Sequence, residues 1–163
     1  MVINTISVIT NEAIETSGSD IVTQARPPPE DVSIAVKTFQ EALTIEKAKL
    51  GKNHPKVLHT LHHLAIALRD NGYLEMAKEH FEEELSLIRE QTDGDNRMAM
   101  ACILTSIGKL ENQLGLRLEA IQSYKNALQL LNFMGLPQNH PRFTMTSRIL
   151  SRLEKKMDER KPV

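Results

Sequence analysis

Between Lys56 and Gln91, in the stretch KVLHTLHHLAIALRDNGYLEMAKEHFEEELSLIREQ, apolar and polar positions alternate with a helical period. Leu61, Leu64, Ala65 and Leu68 recur at three- and four-residue spacing, which predicts a helix with one apolar stripe. Asn71 and Gly72 supply a turn in which left-handed backbone angles are cheap. Ala77, Phe81, Leu85 and Ile88 then open a second stripe, so the stretch reads as two helices, A and B, joined by a tight turn. One such hairpin buries too little apolar area to stand alone, and the pattern predicts neighbours of its own kind.

The chain contains them. Ala77, Phe81 and Leu85 recur as Ala120, Tyr124 and Leu128 and are preceded by Ala35, Phe39 and Leu43, a period of 42 to 43 residues. Gly72 recurs as Gly115, and the Leu64-Ala65 pair as Ile107-Gly108 and Leu150-Ser151. Asn53-His54-Pro55 recurs as Asn139-His140-Pro141, where proline suits a first helical turn that needs no amide donor. The fold expected is all-α, an α-solenoid of antiparallel helical hairpins. Its array spans residues 31–158, with helices over Val32 to Leu50, Arg97 to Leu114, Leu118 to Phe133 and Arg142 to Asp158 beside the two of the central hairpin. Gly51 ends the first, and Asp31 is its expected N-cap. The Asp93-Gly94-Asp95-Asn96 connector starts a helix without proline, and residues 159–163 form a C-terminal tail.

The order of large apolar, small residue, turn glycine and Ala-x3-aromatic resembles the tetratricopeptide repeat, whose usual unit is about 34 residues. The longer unit here, together with LTIEKAKLGKNHPKVLHTLHHLAIAL, is similar to the repeats of kinesin light chains over Ala35 to Leu153. Where such repeats often carry an Asn-Asn pair in helix A, this chain has His62-His63, Thr105-Ser106 and Arg148-Ile149. Glu84 replaces the alanine of Ala42 and Ala127, and Glu111 falls where Leu68 predicts an apolar residue. A HEAT-like array is the alternative fold, disfavoured by the turn glycines and the Ala-x3-aromatic spacing.

The N-terminal residues 1–30 break the repeat. One period before the central unit, the window from Thr16 to Glu30 holds Gly18, Ser19 and Pro27-Pro28-Pro29 and is no regular helix. Ile3, Ile6, Ile9 and Ile14 could line a displaced helix that caps the array, the favoured reading, or belong to a flexible tail, and an extended proline linker follows. Aromatic residues are 4% of the 163 and tryptophan is absent, so leucine, isoleucine, methionine and alanine do the packing. A net charge of -1 argues against general attraction to nucleic acid or an anionic membrane. Cys102, the single cysteine, allows no internal disulfide and fits a reducing, cytoplasmic location. The N-terminus shows neither a secretory nor a transit signal.

The tetratricopeptide layout implies that helix A of each unit lines a concave wall. That wall would carry His59, His62, Ile66 and Arg69, then Cys102, Thr105, Lys109, Asn112 and Gln113, then Met145, Arg148, Arg152 and Lys155. Such a surface sets cations and amide and hydroxyl donors against few acids, which suits an extended peptide carrying Asp, Glu or a C-terminal carboxylate. The expected function is a protein–protein interaction adaptor binding a partner peptide. The alternative is a structural protein that self-associates through open repeat ends as a homo-oligomer. His59 with His62 or His63 has metal-chelating spacing, but no cysteine or carboxylate is placed to complete a tetrahedron, so polar lining is the reading and no metal or cofactor is expected. His54 and His140 are expected to start helices, and Glu82-Glu83-Glu84 to lie on a solvated outer face. No phosphate loop, nucleophile elbow, His-Glu-x-x-His or paired-cysteine motif points to an enzyme.

Overall fold

The computed structural model describes residues 33–91 and 94–159. The isoleucine segment, the proline linker, Asp31, Asp93 and the last four residues of the expected tail lie outside that range. Six helices follow in order: α1 Ile34–Leu50, α2 Pro55–Asp70, α3 Leu74–Glu90, α4 Arg97–Gln113, α5 Arg117–Phe133 and α6 Pro141–Asp158. No strand occurs among the described residues, and no described helix is long and apolar enough to cross a membrane. The ends differ from the sequence expectation by one or two residues. α1 begins after Ser33, whose hydroxyl makes no capping bond, and Pro141 rather than Arg142 is the first residue of α6.

His54 and His140 precede the two prolines, and each turns its Nδ1 back to accept from a first-turn amide, of Lys56 at 3.1 Å and of Arg142 at 3.3 Å. An imidazole thus serves as the side-chain acceptor that serine or aspartate usually provides. At α4 the acceptor is Asp95, whose Oδ1 takes the Arg97 amide at 3.1 Å. The same carboxylate is clasped by the Arg97 guanidinium at 2.6 Å, which holds its pKa down at about 2.

Three helix ends close in one way. The amides of Tyr73, Leu116 and Leu136 donate to the carbonyls of Leu68, Glu111 and Leu131, five residues back. This bond requires a left-handed residue just before the donor, and Gly72, Gly115 and Gly135 occupy that position with φ of 84°, 81° and 70°. Of the three donors, Tyr73 and Leu136 are half-buried and Leu116 is exposed.

Each helix packs chiefly on its neighbours in sequence. Leu61, Leu64 and Leu68 of α2 and Phe81 of α3 are fully buried in one core with Ile103 and Leu110 of α4. Each such side chain contributes about 1.5–3 kcal/mol on leaving water. In the next hairpin Tyr124 occupies the place of Phe81, and a Cβ at Gly108 would stand 3.2 Å from its ring. The small residues of helix A therefore make room for the aromatic of helix B.

The acidic run of α3 departs from the solvated face expected of it. Glu82 is exposed and pairs with Lys78, but Glu83 is half-buried between Lys47 and His80, and Glu84 is buried. Glu83 has its carboxyl held down at about 2, His80 contributing most and Lys47 adding to it. Lys47, on α1, ties the first helix to the third.

Candidate functional site

Helices α2, α4 and α6, the A helices of successive units, share one side of the array, where two cavities open. The larger, about 560 Å³, is lined from α2 by Arg69, from α4 by Lys109, Asn112 and Gln113, and from α6 by Ile149, Arg152, Leu153 and Lys156. Arg117 and the edge of Tyr124, both from α5, complete it. The second, about 400 Å³, is lined by His62, Ala101, Cys102, Thr105 and Ser106, then Leu131, Arg142, Met145 and Thr146. Lys109 lines both cavities, so its side chain stands between them.

The larger cavity gathers five cationic side chains and no carboxylate among its lining residues. Arg69 is partly neutralised by Asp70, whose Oδ1 accepts two of its bonds at 2.8 and 3.0 Å. Among the described residues, Lys109, Arg117, Arg152 and Lys156 form no ion pair. The Nε of Arg117 is buried without a hydrogen-bond partner. Burial pushes the Tyr124 phenol up to about 12, with the Glu111 charge adding to it, so this wall contributes no negative charge at neutral pH.

The second cavity is more apolar, with Leu131 and Met145 among its lining. Its hydroxyls are partly spent: Thr105 donates to the Ala101 carbonyl at 2.8 Å and Ser106 to that of Cys102 at 3.2 Å. They offer acceptor lone pairs to a ligand rather than the donors expected from sequence. Cys102 receives a hydrogen bond from Arg142 Nη1 at 2.8 Å. Burial nevertheless raises its pKa, against the pull of Arg142, and keeps it a thiol rather than a nucleophilic thiolate.

His62, which lines this second cavity, is committed to a structural task. Its Nδ1 lies 2.9 Å from Oε2 of the buried Glu84, and its ring meets Phe81 edge-on at 5.4 Å. The Glu84 hydrogen bond raises the His62 pKa above its ordinary value despite burial. His59 and His63 meet each other instead, Nε2 to Nε2 at 3.1 Å, with His63 stacked on Phe39. No group of three histidine, cysteine or acidic side chains is placed to hold a metal ion among the described residues.

Of the wall residues expected from sequence, His62, Arg69, Cys102, Thr105, Lys109, Asn112, Gln113, Met145 and Arg152 line the two cavities. His59, Ile66, Arg148 and Lys155 line neither: Ile66 packs against the core, and Arg148 and Lys155 are exposed on the flank of α6. Arg142, Ile149 and Lys156 are brought in instead, at the three- and four-residue spacing that continues Met145 and Arg152 along one face. Arg117 is hidden from a reading confined to helix A, since it begins helix B, two residues after the turn glycine.

Residues 57–90, the α2–α3 hairpin, match the family model described as tetratricopeptide repeat. No curated protein matches the chain. Among solved structures it is similar to a Podosopora anserina kinesin light chain-like protein of nearly identical TPR-like repeats. That likeness has 19% identity, a TM-score of 0.63, and covers 72% of this chain and 55% of the other. A point variant of the same protein aligns equally well. BtubC (BKLC) from P. vanneervenii aligns with 17% identity and a TM-score of 0.62 over 76% of this chain and 49% of its own. The chain thus spans about half the length of the solved proteins it resembles.

Proposed function

We propose that this chain, whose α2–α3 hairpin matches the tetratricopeptide repeat and whose fold is similar to that of kinesin light chain-like repeat structures, is an adaptor whose concave wall binds an acidic segment of a partner protein. Repeats of this class generally mediate protein–protein contacts, and the observation that carries the acidic partner is the convergence of five cations, with no lining carboxylate, on one cavity. Guanidinium forks at Arg117 and Arg152 and the ammonium of Lys109 would form charge-assisted hydrogen bonds to Asp or Glu. Asn112 and Gln113 would meet the peptide backbone, and the cavity lined by Leu131 and Met145 would receive an apolar side chain. No catalytic step belongs to this reading, and the lone thiol supports a reducing, cytoplasmic setting.

The test is binding of a Glu-rich peptide, followed by fluorescence anisotropy, to the chain and to Lys109→Glu with Arg152→Glu. The double variant is expected to lose about a hundredfold or more in affinity, since each of two lost charged hydrogen bonds is worth about 1.5–3 kcal/mol, while helix content by circular dichroism is unchanged. Equal affinities would overturn the groove.

A second reading, self-association, is favoured by the outer side of α1, where Ile34 is 84% and Ile45 53% exposed. A mass that rises with concentration, and that Ile34→Lys with Ile45→Lys holds at the monomer value, would support it.

A further inference from the structure

The larger cavity holds more positive charge than a carboxylate side chain neutralises. Lys109, Arg117, Arg152 and Lys156 converge there with no ion pair among the described residues, and Arg69 stands beside them with its single partner, Asp70. Like charges gathered on one wall repel, and an occupant of matching charge would relieve them. A carboxylate brings one negative charge and two oxygens. A phosphate monoester brings a charge near -2 and three strong acceptor oxygens, the geometry that guanidinium forks match. About 560 Å³ is also ample for a tetrahedral group with its ester chain.

Resting on the adaptor reading above, we infer that this cavity takes a phosphoserine or phosphothreonine of the partner peptide, so that phosphorylation of the partner switches the complex on. Arg117 and Arg152 bind the phosphate oxygens, and Lys109 and Lys156 balance the remaining charge. The flanking acidic residues of the partner reach Arg69.

The experiment uses the full chain and three fluorescein-labelled peptides that share one Glu-containing host sequence and differ at a single position: serine, glutamate or phosphoserine. In about 0.1 M salt the phosphoserine peptide is expected to bind about tenfold more tightly than the serine peptide and several-fold more tightly than the glutamate peptide. Phosphatase treatment should return it to the serine value. Arg117→Lys keeps the charge and removes the fork, and is expected to shrink the phosphoserine-over-glutamate preference about threefold or more with helix content unchanged.

Phosphoserine binding no tighter than glutamate would overturn the phosphate assignment and leave the acidic-peptide reading standing. Failure of all three peptides would sink both. Displacement of the phosphopeptide by inorganic phosphate at equal concentration would overturn a peptide partner in favour of a small-anion site. An Arg117→Lys variant with the full preference would overturn the role of that fork.

Discussion

Glu84 and Glu111 occupy places that other units fill with alanine and leucine, and both are buried. Each is matched from across its own hairpin, Glu84 by His62 and Glu111 by Ser123, whose hydroxyl donates at 2.7 Å. One unit later the first pair becomes Thr105 and Ala127, and one unit earlier the second is Leu68 and His80. The pairs differ in sign. The folded pKa of His62 lies above its ordinary value, so its contribution is complete below the unfolded value near 6.5 and fades as pH rises through the folded one. His62→Asn should therefore lower Tm more at pH 6 than at pH 8, measured against wild type at each pH. A gap that does not narrow would show the pair to be neutral throughout. Glu111 also has a raised pKa, chiefly from burial, so its ionised form works against folding above the ordinary carboxylate range. Glu111→Gln keeps an acceptor for Ser123 and sheds the charge. It should raise Tm at pH 7 by about 3 °C, for about 1 kcal/mol. A drop would mean that Lys78, 3.9 Å away, outweighs burial. That these two acids break the repeat is legible in the sequence. Their partners are not, because contacts 22 and 12 residues away depend on how two helices are rotated.

Among the elements, the turns are the most legible part, because a glycine followed by an apolar residue is a local instruction. Gly115 has φ of 81° and open space around its Cα, so Gly115→Ala meets no clash, only the cost of a left-handed angle. It should destabilise by about 1 kcal/mol, read as a Tm lower by about 3 °C. Gly108 is the reverse case: its helical backbone suits alanine, but a Cβ would press on Tyr124, which is 1% exposed and cannot withdraw. The His-Pro connectors do start helices, as their sequence predicts, and the structure adds the mechanism, an Nδ1 lone pair returned to the first-turn amide. The α4 start lacks both residues, and Arg97 serves there twice. It clasps Asp95, and its guanidinium lies 4.9 Å from the centre of the Phe133 ring, linking the beginning of α4 to the end of α5.

At the scale of the whole molecule, the repeat class follows from residues that recur at one period, and the fold agrees with it. The inner wall is only partly legible. Its α4 members and Arg69 line the cavities, on helices whose apolar stripes are well marked by leucine and isoleucine, whereas His59 and Ile66 of α2 do not. α6 has only Leu150 and Leu153 as buried apolar anchors, too few to set its rotation from sequence. The cavity-lining face of α6 is centred about a quarter of a turn from Arg148, toward Arg142 and Lys156. A comparison of single variants follows: Arg152→Glu should weaken acidic-peptide binding by about tenfold and Arg148→Glu by about twofold or less, measured by anisotropy. Equal losses would return α6 to the orientation inferred from sequence.

Lys109 belongs to both cavities, and a single ammonium cannot be neutralised twice. An anion held on one side of it lowers the potential felt on the other, so the two compartments are thermodynamically linked. Two separate acidic ligands would disfavour each other, each weakening the other by the same factor. One ligand that places its acid at Lys109 and its apolar group in the second cavity escapes that penalty and gains from being tethered. On the adaptor reading the wall would therefore discriminate by connectivity, rewarding a continuous segment over the same chemical groups supplied in two pieces.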